Sequence, residues 1–405
     1  MNTLFNLPEE VKFCKLCVMS NQRPTSVPEF KHLRNRDGAK YMNVDEEGVC
    51  DACKVASTKN SINWEEREDE LKSLLSKYRR NDGHYDCLVP GSGGKDSAYQ
   101  AHILKYKYGM HPLTCTWPPI LYTDYGYRNF LNWLNVGGFD NITYRPNGKV
   151  MKLLTNLSIK NLLHPFQTFI LGQKNMAPKL AAKHGIKLVF YGENEAEYGN
   201  PIADNSSSLR DKSYHTMENL DKIYLGGIPI GKIVSDYNVD LVDLMTFLPP
   251  PADEFVKNDI QIHYLGYYLR WIPQEAYYYA VEHMNFEARP FRTQGTYSKY
   301  NSIDDKIDDL HYYTTYIKYG IGRASYDASQ EIRNKHISRE EGIALVKRFD
   351  GEFPDKYCEE VLNYIGMDLN EFKEICDEFR SPHLWKKENN EWKLKHTVFN
   401  QLNND

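Results

Sequence analysis

Residues 85–97 read Tyr-Asp-Cys-Leu-Val-Pro-Gly-Ser-Gly-Gly-Lys-Asp-Ser. The apolar run Cys87-Leu88-Val89 predicts a short buried strand. It leads into a Ser-Gly-Gly-Lys-Asp-Ser turn at 92–97, and an amphipathic helix is expected over about 97–108, closed by Gly109. Adjacent Gly93 and Gly94 let backbone N–H groups approach an anion without a Cβ in the way. The helix N-terminus adds the positive end of its dipole. Lys95 supplies a point charge, and Ser92 and Ser97 supply hydroxyl donors. Together these groups suit a polyphosphate.

The spacing selects among phosphate loops. A Walker A loop needs Gly-x-x-x-x-Gly-Lys-Ser/Thr, and a dinucleotide loop needs Gly-x-Gly-x-x-Gly. Neither pattern is present here. Ser-Gly-Gly-x-Asp-Ser instead resembles the PP-loop of the ATP pyrophosphatases. That resemblance implies cleavage of ATP between its α- and β-phosphates, with AMP carried onto a substrate oxygen. A carboxylate beside a phosphate cradle is electrostatically unfavourable unless a cation lies between them, which makes Asp96 a candidate Mg²⁺ ligand.

The chain has 405 residues and a formal net charge of −5. It is long enough for two or three domains, and its acidic balance argues against a dedicated nucleic-acid binder. No apolar run approaches the ~20 residues of a membrane span. The first ten residues lack the basic and apolar regions of a signal peptide, so a cytoplasmic location is expected. Of eight cysteines, four form the knuckles Cys14-Lys-Leu-Cys17 and Cys50-Asp-Ala-Cys53, with 32 residues between them. Two such knuckles can present four thiolates to one Zn²⁺. Pro24, Pro28, Gly38 and Gly48 give the intervening segment the character of a zinc ribbon. A metal would compensate such a small module for its minimal core.

Residues 1–62 are read as this ribbon module, 63–255 as the α/β domain bearing the loop, and 256–405 as a mainly helical C-terminal region. Asn63 is placed to cap a helix over 64–80. Strands are expected near 85–90, 112–117, 141–145 and 186–191, separated by helices near 97–108, 127–136, 148–162 and 167–184. Such alternation predicts a parallel sheet covered on both faces, with ligands at the carboxyl ends of its strands. Three segments should converge there: the loop at 91–97, the stretch from Trp117, and Gly192-Glu193-Asn194-Glu195. Trp117, Gly192 and Asn194 are therefore candidate nucleotide contacts. Glu193 is a further candidate for contacting the nucleotide. Later helices are expected at 338–350 (capped by Ser338), 354–364 and 368–380.

A second polar and aromatic concentration runs from Arg292 to Lys306 and from His311 to Arg323. Aromatic faces and Arg forks suit a sugar or anionic ligand; a solvated helix–loop element has the same composition. The stretches Cys14-Lys-Leu-Cys-Val-Met, Gly48-Val-Cys-Asp-Ala-Cys53, Ser92–Ser97, Gly192–Gly199, Gly295-Thr-Tyr-Ser-Lys299, Asp304-Asp-Lys306, His311–Arg323 and Arg339–Val346 together resemble the bacterial N-acetyl sugar amidotransferases. These are PP-loop enzymes (adenine nucleotide alpha hydrolase-like) of surface-polysaccharide and flagellin-glycan pathways. The resemblance implies conversion of a sugar acetamido group to an acetamidino group through an adenylylated imidate. It implies Lys95, Asp96 and Glu193 as catalytic candidates, and Tyr297, Lys299, Lys318 and Arg323 as contacts to a nucleotide-activated sugar. ATP, Mg²⁺ and Zn²⁺ are the expected cofactors. The chain shows no glutaminase nucleophile turn, so ammonia is expected from a partner resembling the glutaminase and cyclase subunits of imidazole glycerol phosphate synthase. Two alternatives remain at this stage: a tRNA thiolase and a non-catalytic nucleotide sensor.

Overall fold

The computed structural model describes residues 3–34, 39–192, 207–217 and 219–401. Its centre is a five-stranded, all-parallel sheet: β1 (Cys87–Pro90), β2 (Pro112–Thr116), β3 (Asn141–Thr143), β4 (Leu188–Tyr191) and β5 (Gln261–Tyr264), in the order β3-β2-β1-β4-β5. The expected parallel α/β sheet is present. Its fifth strand lies beyond residue 255, so the sheet runs past the point where the sequence reading divided the two regions.

Alternation along the strands sorts the two layers. Leu88 and Val189 face helices α5 (Gly148–Leu162) and α6 (Gln167–His184), meeting Leu154, Leu171 and Ala177. Cys87, Val89, Leu188 and Phe190 face the opposite layer. That layer contains α3 (Lys95–His102), α4 (Asp124–Asn135) and α7 (Pro273–Met284). Two helices precede the sheet, α1 (Asp51–Thr58) and α2 (Trp64–Tyr78). The Asn63 side chain caps α2 by accepting from the N–H groups of Glu65 and Glu66.

The C-terminal region is helical: α8 (Asp308–Tyr319), α9 (Arg323–Arg333), α10 (Arg339–Phe349), α11 (Asp355–Ile365) and α12 (Leu369–Glu378). Ser338 and Glu341 form the capping box of α10. These helices pack on the α5 face through Ile317, Leu362 and Phe372 against Ile159. The C-terminal region also meets the N-terminal module through Ile321, between α8 and α9, and Val346 of α10. A segment at 303–307 crosses to the sheet. The Asp305 carboxylate accepts from the N–H groups of Ile120, Leu121 and Ile307, and Lys306 N–H donates to Leu121 O. The C-terminal region is thereby anchored to the loop leaving β2.

Candidate active site

The strand order reverses between β1 and β4, and a doubly wound sheet binds ligands at that switch point. A cleft of about 700 Å³ lies there, lined by Gly91–Ser92, Gly94–Ser97 and Gly192 together with residues of the C-terminal region. The 91–97 loop thus sits at the place the sequence reading gave it.

The loop's shape follows from its glycines. Gly93 has φ +87, and a Cβ there would lie 2.6 Å from Phe130 Cα. A Cβ on Gly91 would lie 2.3 Å from Ser97 Cβ. At Gly94 the nearest atom to such a Cβ is 3.7 Å away, so its backbone stands open to a ligand. Gly94 is also the N-cap of α3 and provides no side-chain cap, leaving the first N–H groups of the helix for an anion. Lys95 is 7% exposed, and its ammonium contacts Asp96 Oδ2 at 2.5 Å. Asp96 Oδ1 is buried without a hydrogen-bond partner. A buried anionic oxygen in this position is a suitable donor for Mg²⁺. Gln100 donates to Phe190 O at 3.0 Å and ties α3 to the end of β4.

The sequence assigns several lining residues no role at the loop, and Asp304 figures there only within the Asp304-Asp-Lys306 stretch. Asp304 accepts from Ser92 Oγ at 2.7 Å. Among the described residues, Arg23, Lys174, Arg210 and Arg333 line the cleft together with Lys95, Arg323 and the carboxylates Asp96, Asp304 and Asp327. Arg323 is held by Asp327 (Nε to Oδ1, 3.0 Å) and lies over the Tyr312 ring at 4.4 Å. Asp327 also accepts from Thr296 Oγ1 at 2.6 Å and Asn301 Nδ2 at 3.3 Å. Asp350, following α10, accepts from the backbone N–H groups of Gly322 and Ser325 and so caps α9 in place of a local side chain. The i,i+4 spacing of Arg323 and Asp327 is visible in the sequence. The origin of the other cations in three distant segments is not.

The remaining candidates separate. Trp117 is 4% exposed and does not line the cleft. Its ring packs on Phe247 and Tyr144, and a Cβ on Gly172 would lie 2.1 Å from it, so it belongs to the core beside α6. Lys299 is exposed outside the cleft, and Tyr297 packs near Val18 and Ala328. Lys318 donates to Leu162 O at 2.9 Å and lines a neighbouring cavity. Of the four expected sugar contacts, Arg323 alone lines the cleft. Glu193 and Asn194 lie outside the described residues.

The four knuckle cysteines meet as expected. Cys14 and Cys53 sulfurs are 3.8 Å apart, Cys17 and Cys50 sulfurs 3.7 Å, and all four lie within 4.8 Å of one another. A tetrahedron with ~2.3 Å zinc–sulfur bonds has edges of about 3.8 Å, whereas a disulfide would be near ~2 Å. The set can hold a metal such as zinc. The second knuckle opens α1, with Cys50 as its N-cap, so this part of the module is helical. Arg339 donates to the carbonyls of Cys14 and Cys17, fixing α10 to the first knuckle.

Comparison with known proteins adds a family to this geometry. Residues 294–398 match the model for the C-terminal domain of WbpG-like LPS biosynthesis proteins. The similarity is confined to the C-terminal region. The matched segment includes Asn301, Asp304, Tyr312, Arg323 and Asp327 of the cleft. A stretch of 74 residues, 18% of the chain, is 31% identical to the uncharacterized protein MJ1599 of Methanocaldococcus jannaschii. The chain spans about a quarter (26%) of that relative's length.

Proposed function

We propose that this protein is an ATP-dependent N-acetyl sugar amidotransferase of surface-polysaccharide biosynthesis. The observation that carries the reading is the junction of two elements at the sheet switch point. The glycine loop and α3 N-terminus meet the WbpG-like segment at Ser92–Asp304. Phosphates would lie against Ser92, Gly93, Gly94, Lys95 and Ser97. Asp96, through its unpartnered oxygen, is suited to hold Mg²⁺, which would neutralise phosphate charge. The sugar would occupy the side of the cleft formed by Arg323, Tyr312 and Asp327.

The acetamide oxygen attacks the α-phosphorus of ATP, the α–β bond breaks, and pyrophosphate leaves. Ammonia then adds to the imidate carbon. AMP departs with the former amide oxygen, leaving the acetamidino group. Lys95 and the loop N–H groups stabilise the charge that develops at the α–β bond. Exclusion of water protects the activated imidate from hydrolysis. Ammonia is supplied by a separate glutaminase subunit.

The test incubates the purified protein with ATP, Mg²⁺, ammonium at alkaline pH and nucleotide-linked N-acetyl sugars. AMP, pyrophosphate and a sugar product with oxygen exchanged for NH are expected. ADP and phosphate as products would overturn the reading. Glutamine alone should not support turnover without a partner.

A further inference from the structure

Beside the cleft lies a second cavity of about 310 Å³, and the two share Ser26, His311, Thr315 and Tyr326 as lining. Its wall holds Glu29, His32 and His164. Glu29 opens a short turn, Glu29–Lys31, and His32 follows it. His164 follows Leu163, whose φ of 47 ends α5. Gln167, fully buried, fixes both segments: its Nε2 donates to Glu29 O at 2.8 Å, and its own N–H donates to His164 O.

Glu29 Oε2 lies 3.2 Å from His32 Nδ1 and 3.5 Å from His164 Nε2. All three ligand atoms fall within 4.8 Å of one another. Both imidazoles can pair with the Glu29 carboxylate when protonated. With neutral imidazoles the same three ligand atoms converge on a point that a shared cation could occupy. A tetrahedral ion with bonds of ~2.0–2.1 Å to nitrogen and oxygen has ligand edges of about 3.4 Å.

We propose that Glu29, His32 and His164 bind a divalent transition-metal ion, Zn²⁺ by donor type, with an open coordination position toward the shared cavity. Two imidazoles and one carboxylate are the donor set of zinc sites that keep one position for water or substrate oxygen. The ion would join the N-terminal module to the end of α5, at the wall between the two cavities. His311 stacks on His164 with ring centroids 5.2 Å apart and supports the ring from behind. This inference is independent of the nucleotide reading, since it uses none of the loop residues.

The test strips metal from the full chain with a strong chelator under reducing conditions, removes the chelator, then titrates with Zn²⁺ against a metal indicator and, separately, with Co²⁺. Two equivalents are expected. Co²⁺ in the cysteine site gives thiolate-to-metal charge transfer. The second equivalent should give weak visible bands without it. E29Q and H32Q should each weaken the second equivalent by at least about tenfold and leave the cysteine-site charge-transfer band intact. That band also reports whether the variants fold. Saturation of the wild-type protein at one equivalent would overturn the proposal whatever the variants do. So would an unchanged second equivalent in both variants.

Discussion

Ser92 donates its hydroxyl hydrogen bond to Asp304 at 2.7 Å, across 212 residues of sequence. The contact joins the 91–97 loop to the C-terminal region. It is supported from behind, because 303–307 lies against the loop after β2. Thr123 N–H donates to Asp304 O, and a Cβ on Gly126 would come within 2.4 Å of Asp304 Cα. The 91–97 loop is therefore joined to a segment that is itself held by the loop after β2 and the first turn of α4.

Asp304→Ala should misplace Ser92 while leaving the sheet intact. Pyrophosphate release is expected to fall by up to about 10²-fold, the scale of loss for a displaced positioning group. Ser92→Ala should lose less, because Gly94 and the α3 N-terminus remain. The two changes should couple by about 0.5–3 kcal/mol in a double-mutant cycle. Strict additivity would show that the contact does not position the loop.

Lys95→Ala and Asp96→Ala act on charge rather than on shape. Each is expected to lower turnover by about 10²–10³-fold, the range found for removing one preorganised charge-stabilising group. Both should retain the wild-type far-ultraviolet circular dichroism, since α3 packs into the core through Ala98 and Ala101. Wild-type AMP formation by either variant would remove the loop from the reaction.

The central sheet was legible because β1 and β4 are apolar runs and β2 combines Leu113 and Cys115 with β-branched Thr114 and Thr116. β5 was not: Gln261-Ile-His-Tyr264 is four residues long, half polar, and gains its strand character by pairing with β4. The glycine loop announced itself locally, through residue types within one turn. Asp304 and the cations Arg23, Lys174, Arg210 and Arg333 could not do so, because only tertiary folding brings them to the loop. Trp117 shows the opposite failure. Its position at a strand end suggested a ligand contact, yet the side chain turns onto Gly172 of α6 and joins the core. The cysteine knuckles were readable from spacing, since metal geometry restricts the sequence directly.

The knuckles should carry a structural metal. Zinc analysis of Cys14→Ser is expected to show loss of that equivalent, with reduced thermal stability preceding any loss of intrinsic turnover. Arg339→Ala should leave the metal in place, because it removes contacts to the Cys14 and Cys17 carbonyls rather than a ligand. It should still destabilise the junction with α10, by about 0.5–1.5 kcal/mol per hydrogen bond lost. Zinc loss from Arg339→Ala equal to that from Cys14→Ser would contradict this division.

Asp309 offers a pH test of the C-terminal region. It lies in the first turn of α8, 4% exposed, and neither carboxylate oxygen has a hydrogen-bond partner. Burial pushes its carboxyl up to about 6, although Arg289 and Lys356 oppose the shift. The unfolded value is near ~3.9. Between these limits the folded chain keeps a proton that the unfolded chain releases, so this group's contribution to stability falls as pH rises. Below ~4 both states are protonated, and above about 6 both are ionised. Asp309→Asn resembles the protonated side chain and does not titrate. Its melting temperature relative to wild type should therefore rise between pH 4 and 6 and level off above that, when both proteins are melted in parallel buffers of equal ionic strength. A difference that stays flat, or one that falls across this range, would mean that Asp309 is not held protonated by its burial.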